Sequence, residues 1–377
     1  MIYYDRLIPG IQWFMNSIGH KDVFAFDQWA DVSQAESQQV KILLIRSTTQ
    51  VDQQLLDQCP NLEFVGSATS GIDHIAVDLL AERGISWCEA KGSNAKGVAD
   101  YVVFALAVIN YQASLLVNVE QSKNVILGYG HVGQEVGKNL THLGMQWHWV
   151  DPHKTADQRT LLQGGEELEH WLETTHLLTV HLPLIASGEY PTAPWLNEQR
   201  LSRLPNDAWI ILAGRGGNAD EAALLKHSTR LNYIIDVWPH EPCPSPQLIQ
   251  ASAFATPHIA GHSRLSKIRG SWQILQELVH FLAIDKEDYI SFGDFKMAVL
   301  HELQIEATHV ELASKTHVES IQDHLRLQIG FAQMDTYLRA AAESQSNEAY
   351  NNTHIMRQAF QKARAEYGQH LEIVWGE

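Results

Sequence analysis

The segment NVILGYGHVGQEVGKNL at residues 124–140 restricts what this chain can fold into more than any other part of it. Gly128, Gly130 and Gly133 stand in G-x-G-x-x-G spacing after an apolar, strand-forming run, and a helix-compatible run follows. Glycine turns are common, so spacing alone carries little; the strand before and the helix after give it weight. In such a strand–turn–helix unit Gly128 makes the tight turn, Gly130 lets the backbone approach a pyrophosphate, and Gly133 lets helix and strand pack closely. His131 and Val132 fall on the first helical turn, where free N–H groups and the positive dipole end meet phosphates. Asp151 follows the next apolar run, Gln146–Val150, 18 residues after Gly133. A carboxylate there accepts hydrogen bonds from ribose hydroxyls and repels a 2′-phosphate, which predicts NAD in preference to NADP.

The rest of the chain repeats the alternation of strand and helix. Strands are predicted at Lys41–Arg46, Leu62–Gly66, Ile85–Cys88, Asn124–Leu127, Gln146–Val150, Leu177–Val180, Ala208–Leu212 and Asn232–Ile235. Several are apolar at successive positions, as in a parallel sheet covered by helices on both faces. Val98–Leu116 reads as a long helix; Asn110, Gln112, Ser114 and Asn118 interrupt its apolar run, which favours a buried helix over a membrane span. Leu265, Ile268, Trp272, Leu275, Val279 and Leu282 recur at helical spacing. After about Asp285 the pattern changes, with a helix expected around Ile355–Ala363, a stop at Gly368 and a strand at Leu371–Trp375. A chain of 377 residues is long for one domain, at about 150 residues each. The expected class is therefore α/β: two Rossmann-like doubly wound parallel-sheet domains plus a small C-terminal α+β module. Residues 1–95 with 262–290, 96–261, and 291–377 are the expected divisions.

Charge narrows the partners. There are 27 Lys and Arg against 44 Asp and Glu, a net charge of -17. Nucleic acid and anionic membranes both require a net basic face, so neither is expected. A small anionic substrate responds only to the local field and stays admissible. Cys59, Cys88 and Cys243 are too few and scattered for a disulfide framework or zinc site, no metal is expected, and a reducing cytoplasm fits. The N-terminal MIYYDRLIPG has no basic stretch before an apolar core, so no signal peptide is expected.

Three polar groups follow later apolar runs: Arg215 in WIILAGRGG, Glu241 in IIDVWPHEP and His258 in ATPHIAG. Residues just past the carboxyl ends of parallel strands line the crevice where ligands bind. An arginine there can hold a carboxylate bidentately. A histidine can take a proton at neutral pH, and a carboxylate beside it fixes the ring. The set suits oxidation of a 2-hydroxy acid, with His258 taking the hydroxyl proton. Each residue alone also fits a bland role, since the chain has 20 histidines and Glu241 precedes Pro242 in a turn.

The order SGID, GYGHVG, VDP, AGRGG, DVWPHEP and TPHIAG over roughly residues 40–285 resembles the D-isomer-specific 2-hydroxyacid dehydrogenases. RSTTQVD at 46–52, SATSGIDHI at 67–75, DVWPHEP and HIAGHSRLSKIRG at 258–270 resemble the branch that oxidises 4-phospho-D-erythronate toward pyridoxine 5′-phosphate. The resemblance implies Arg215, Glu241 and His258 as active-site residues and Ser47 and Thr69 as substrate contacts. It also implies Asp151, Ala213, Gly214, Asp236 and Gly261 at NAD, and a homodimer formed through residues 291–377. Arg46 is a further candidate for the substrate phosphate. The chain departs from the family at His262, where tyrosine usually touches substrate, and at Leu182, usually threonine near the nicotinamide ribose. Asp100 stands where glutamate is more typical, and YYDRLIPG replaces the usual N-terminal segment. The alternatives are a dehydrogenase acting on 3-phosphoglycerate, glyoxylate/hydroxypyruvate or lactate, and a non-catalytic NAD(H)-sensing scaffold.

Overall fold

The computed structural model describes residues 1–113, 123–153, 171–285, 290–304, 309–313, 330–343, 357–358, 360–361 and 372–376. Their contacts divide into two compact units, residues 1–94 with 264–308 and residues 95–263 with 309–377.

The first unit holds a five-stranded sheet in the order β2–β1–β3–β4–β5. Its strands are β1 (Ile2–Asp5), β2 (Val23–Phe26), β3 (Ile42–Ile45), β4 (Phe64–Ser67) and β5 (Ser86–Glu89). All pairings are parallel. The Ile-Leu-Leu-Ile of β3 is buried at every position, as a strand covered on both faces must be. One face packs Ile274, Leu275 and Leu278 of helix Arg264–Phe281, and the other packs Leu55, Leu56 and Leu80. The sequence reading located β3, β4 and β5 but not β1 and β2. Both are only four residues long, and aromatics occupy half of each, so neither stands out as an aliphatic run. Strand order turns back between β1 and β3, which makes a switch point at the ends of Asp5 and Ile45.

The second unit carries a six-stranded parallel sheet in the order β11–β10–β9–β8–β6–β7. Its strands are β6 (Lys123–Leu127), β7 (His148–Val150), β8 (Thr175–Val180), β9 (Trp209–Leu212), β10 (Asn232–Ile235) and β11 (Phe254–Ala255). Helix Ala95–Ala113 covers one face together with Val136 and Leu140 of helix His131–His142. Tyr101, Val103 and Ala105 have no exposed surface, so the apolar run predicted as a buried helix serves the core of this unit. Ser114, Leu116 and Asn118 lie outside the described residues. Among the described residues no helix is long and apolar enough to cross a membrane. Burial pushes the Cys59 and Cys88 thiols up to about 12, so neither is a thiolate at neutral pH.

Residues 291–377, expected as a module of their own, divide between the two units. Helix Phe292–Glu302 groups with the first, where Phe295 and Val299 are fully buried. Strand β12 (His309–Ala313), helix Gly330–Glu343 and β13 (Glu372–Gly376) group with the second. β12 and β13 pair in parallel, His309 opposite Glu372. Leu338, Ala342 and Phe360 enter the core beneath the six-stranded sheet. Arg339 pairs with Asp335 and donates to the carbonyls of Ile249 and Ser252, closing the end of helix Pro246–Ala251. Asp335 accepts from the Ala255 amide of β11. Of the helix expected around Ile355–Ala363, Ile355, Met356, Ala359 and Ala363 lie outside the described residues, as do Gly368 and Leu371.

Because Leu338 has no exposed surface, Leu338→Ala is expected to destabilise the second unit by about 2–5 kcal/mol. Chemical denaturation followed by tryptophan fluorescence measures this; an unchanged midpoint would show that the helix contributes nothing to that core.

Candidate active site

The glycine loop joins β6 to helix His131–His142 at the place where strand order turns back between β6 and β8. Gly128 has φ +86, and a Cβ there would lie 2.7 Å from the His181 carbonyl oxygen. A Cβ on Gly133 would lie 2.1 Å from the Gly128 carbonyl oxygen, so helix and turn close on each other only with glycine at both positions. Gly130, by contrast, faces open space. It caps the helix without a side-chain hydrogen bond, leaving the first-turn N–H groups of His131, Val132 and Gly133 directed at that space. Asp151 receives the Tyr129 and His153 amides at 3.0 Å on its two oxygens, which fixes the carboxylate at the end of β7. A carboxylate has about four acceptor sites, so this one retains room for ribose hydroxyls. A bare backbone cradle at a helix N-terminus beside a fixed carboxylate fits a dinucleotide.

Leu182 follows β8 and is buried, and its backbone packs against Gly128 and Gly214. An aliphatic side chain there has no hydroxyl to offer a ribose. Gly214 and Gly216 flank Arg215 after β9; a Cβ on Gly214 would press against the backbone of Val180 at 3.1 Å, and Gly216 leaves no room for one. At Gly216 the obstacle is the Trp238 carbonyl at 1.8 Å, so the Arg215 loop rests on the loop that carries Glu241. Ala213 is buried below them, while Arg215 is half-buried and donates through Nη1 to the Gly214 carbonyl.

His258 Nδ1 lies 2.7 Å from Glu241 Oε2, and both side chains retain exposed surface. The other Glu241 oxygen accepts from the Trp238 amide at 2.9 Å. A carboxylate only accepts, so Nδ1 carries the hydrogen and Nε2 of the neutral ring is the basic nitrogen. His258 has φ 56, a left-handed conformation unusual for a residue with a side chain. Its backbone amide donates to the Asp236 carbonyl.

Asp236, expected at the cofactor, has a fully buried carboxylate committed to this loop. Oδ1 accepts from the Ile259 amide and the Thr256 hydroxyl, and Oδ2 from the Ala260 amide. Since Thr256 gives its hydrogen to Asp236, the Tyr101 phenol 2.7 Å away must donate to Thr256. Trp238 Nε1 donates to the Thr256 carbonyl. Gly261 and His262 continue the loop, half-buried, and the Ser263 hydroxyl donates to Glu372 at the start of β13. Tyr101, Thr256 and Trp238 were not singled out from the sequence. Thr256 and Trp238 carried a local signal, lying in the TPHIAG and DVWPHEP segments with His258 and Glu241.

The remaining expected residues lie in the first unit, past the carboxyl ends of β3 and β4. Ser47 is exposed and Thr69 half-buried. Arg46 is half-buried and pairs through Nε with Asp5 at 2.9 Å, across the switch point between β1 and β3. Asp5 is 1% exposed. Among the described residues no cluster of His, Cys, Asp and Glu could hold a metal ion.

Residues 102–260 match the family described as D-isomer specific 2-hydroxyacid dehydrogenase, NAD binding domain. The chain is 37% identical over 263 residues to an erythronate-4-phosphate dehydrogenase of Marinomonas sp. (strain MWYL1), covering 67% of each protein. It is 32% identical over 348 residues to an erythronate-4-phosphate dehydrogenase of Shewanella sp. (strain MR-7), covering 90% of this chain and 88% of that protein. Among solved structures it superposes with TM-score 0.61 on NAD+-bound 3-phosphoglycerate dehydrogenase from Entamoeba histolytica. That match is 21% identical and covers 77% of this chain and 98% of the other. The second unit is accordingly an NAD-binding domain.

Both His181 ring nitrogens are buried, and burial pushes the imidazole down to about 3, the Ala213 backbone opposing this only in part. Between that value and the ordinary 6.5 the unfolded chain binds a proton that the folded chain refuses, so stability falls as pH drops through this window. The apparent Tm is expected to decrease below about pH 6.5, and less steeply in His181→Gln. Identical pH slopes for the two proteins would contradict this.

Proposed function

We propose that this chain, which belongs to the erythronate-4-phosphate dehydrogenase family, oxidises C2 of 4-phospho-D-erythronate to give 2-oxo-3-hydroxy-4-phosphobutanoate. Together with that kinship, the pairing of His258 Nδ1 with Glu241 Oε2 at 2.7 Å, at the carboxyl edge of the NAD-binding sheet, carries the reading. NAD, when bound, supplies the acceptor for the hydride that leaves C2. His258 Nε2 takes the C2 hydroxyl proton, and Glu241 compensates the imidazolium that results. Arg215 holds the substrate carboxylate and so orients C2.

Phosphate selection falls to the first unit. In a chain of net charge -17, an anionic substrate requires cations placed locally rather than a basic surface. Arg46 stands at the switch point of its sheet with its Nε held by Asp5, which leaves the terminal guanidinium nitrogens for phosphate. Ser47 and Thr69 add hydroxyl contacts on the same edge. His262 takes the place of the family's tyrosine at the substrate, where imidazole can also hydrogen-bond a hydroxyl or phosphate. The proposal extends to a cytoplasmic homodimer formed through residues 291–377. Met297 and Leu303 there are 64% and 46% exposed, and monomeric sedimentation at micromolar concentration would overturn the dimer.

A substrate panel with NAD, read by nicotinamide absorbance, tests the assignment. A 2-oxo acid is included as acceptor so that tightly held reduced cofactor is reoxidised in place. 4-Phospho-D-erythronate is expected to give by far the largest kcat/KM, and equal use of 3-phosphoglycerate or D-lactate would overturn the assignment. Arg46→Ala is expected to raise KM for the phosphorylated substrate about ten- to a hundredfold, the weight of a charged hydrogen bond. An unchanged KM would remove Arg46 from the site.

A further inference from the structure

At the carboxyl end of β4, Thr69 is joined to two further side chains that the reaction described above does not use. Ser67 closes β4 and has no exposed surface. Its Oγ lies 2.9 Å from His74 Nε2 and 3.0 Å from Thr69 Oγ1. His74 is buried in the loop that follows, and its carbonyl accepts the Val51 amide, which ties that loop to the segment after β3. Thr69, half-buried, is the one member of the three with substantial accessible surface.

A hydroxyl has one hydrogen to give, and this sets the polarity of the whole chain. If His74 Nε2 lacks a hydrogen, Ser67 donates to it and Thr69 donates to Ser67. Thr69 then presents only lone pairs to a ligand. If Nε2 carries a hydrogen, Ser67 accepts it and donates to Thr69, whose own hydrogen is released to point outward. At neutral pH the proposed substrate carries a carboxylate and a largely dianionic phosphate, whose oxygens only accept in those forms. A Thr69 that offered lone pairs would repel it.

We infer that His74 and Ser67 are positioning residues for the substrate: a hydrogen held on His74 Nε2 passes through Ser67 to make Thr69 a donor toward the anionic ligand. The inference rests on the reading that Thr69 meets the substrate. Sequence pattern does not announce the pair, because His74 stands seven residues from Ser67 and reads on its own as one of many histidines.

A double-mutant cycle on the full-length protein, with 4-phospho-D-erythronate and NAD, tests it. Thr69→Val is expected to raise KM about tenfold with little change in kcat, the weight of one hydrogen bond to a charged group. Ser67→Ala, which removes the hydrogen bond that fixes the Thr69 hydroxyl, should raise KM by a smaller factor, and adding it to Thr69→Val should change nothing further, because the relay then has no terminus. His74→Gln, whose amide keeps an N–H in reach of Ser67, should stay near wild type, whereas His74→Leu should match Ser67→Ala. Multiplying effects of Ser67→Ala and Thr69→Val, or an effect of Thr69→Val without one of Ser67→Ala, would overturn the relay. A Thr69→Val enzyme with unchanged KM would instead overturn the reading that Thr69 meets substrate, and the relay with it. Should a variant fail to fold, 15N shifts of the His74 ring in the unaltered protein with bound 4-phospho-D-erythronate decide the point. Nitrogen-bound hydrogen at Nε2 is expected, and a neutral Nδ1–H ring would sink the proposal.

Discussion

The carboxylate of Asp236 lies at the end of β10 with no exposed surface, and its two oxygens take hydrogen bonds from Ile259, Ala260 and Thr256. A charge buried so completely is costly unless donors replace its lost water, and here three protein donors do so. The arrangement has a structural product. With the Asp236 carbonyl accepting from His258 as well, the loop is drawn onto the strand end from four sides, and His258 is held at φ 56. In that conformation its ring stands 2.7 Å from Glu241. The Trp238 amide on Glu241 and the Tyr101 phenol on Thr256 extend the same network to the neighbouring loop and to the long buried helix.

Rigid support on one side is matched by backbone clearance on the other. The glycine loop, the segment after β8 and the Arg215 loop approach one another so closely that side chains are excluded at Gly128, Gly133 and Gly216 and crowded at Gly214. Those contacts set the height of the helix N-terminus and the position of Arg215 through backbone alone. The dinucleotide cradle and the His258–Glu241 pair are thus built from strand ends of one sheet, β6 through β11, as expected where a parallel sheet presents its carboxyl edge. The C-terminal helix adds stability to this sheet through Leu338 and through Asp335 and Arg339, which satisfy backbone groups of β11 and helix Pro246–Ala251.

Much of this was legible in the sequence because it follows from local rules. Strands β6 to β10 of the second unit sit where apolar runs predict them, while β12 and the two-residue β11 were not predicted, and G-x-G-x-x-G in a strand–turn–helix setting marked the dinucleotide loop. Spacing also brought Arg215, Glu241 and His258 to notice as residues just past strand ends. What could not be read were pairings between side chains distant in sequence. Tyr101 meets Thr256 across 155 residues, and Asp335 meets Ala255 across 80. No periodicity encodes either. Asp236 was expected at NAD through the family resemblance; that its carboxylate also anchors its own loop rests on Thr256, Ile259 and Ala260, twenty or more positions away, which no local pattern reveals. Residues 291–377 looked separate because their pattern differs, but their apolar faces close on the cores of both units.

We propose that the loop held by Asp236 makes His258 the proton acceptor in an NAD-dependent oxidation. Single-turnover formation of reduced nicotinamide from 4-phospho-D-erythronate, compared between wild type and His258→Ala alongside NAD affinity, tests this most directly. General-base removal is expected to slow the turnover by about a hundredfold or more while NAD affinity stays within about twofold. Reduction at the wild-type rate in His258→Ala would contradict the account.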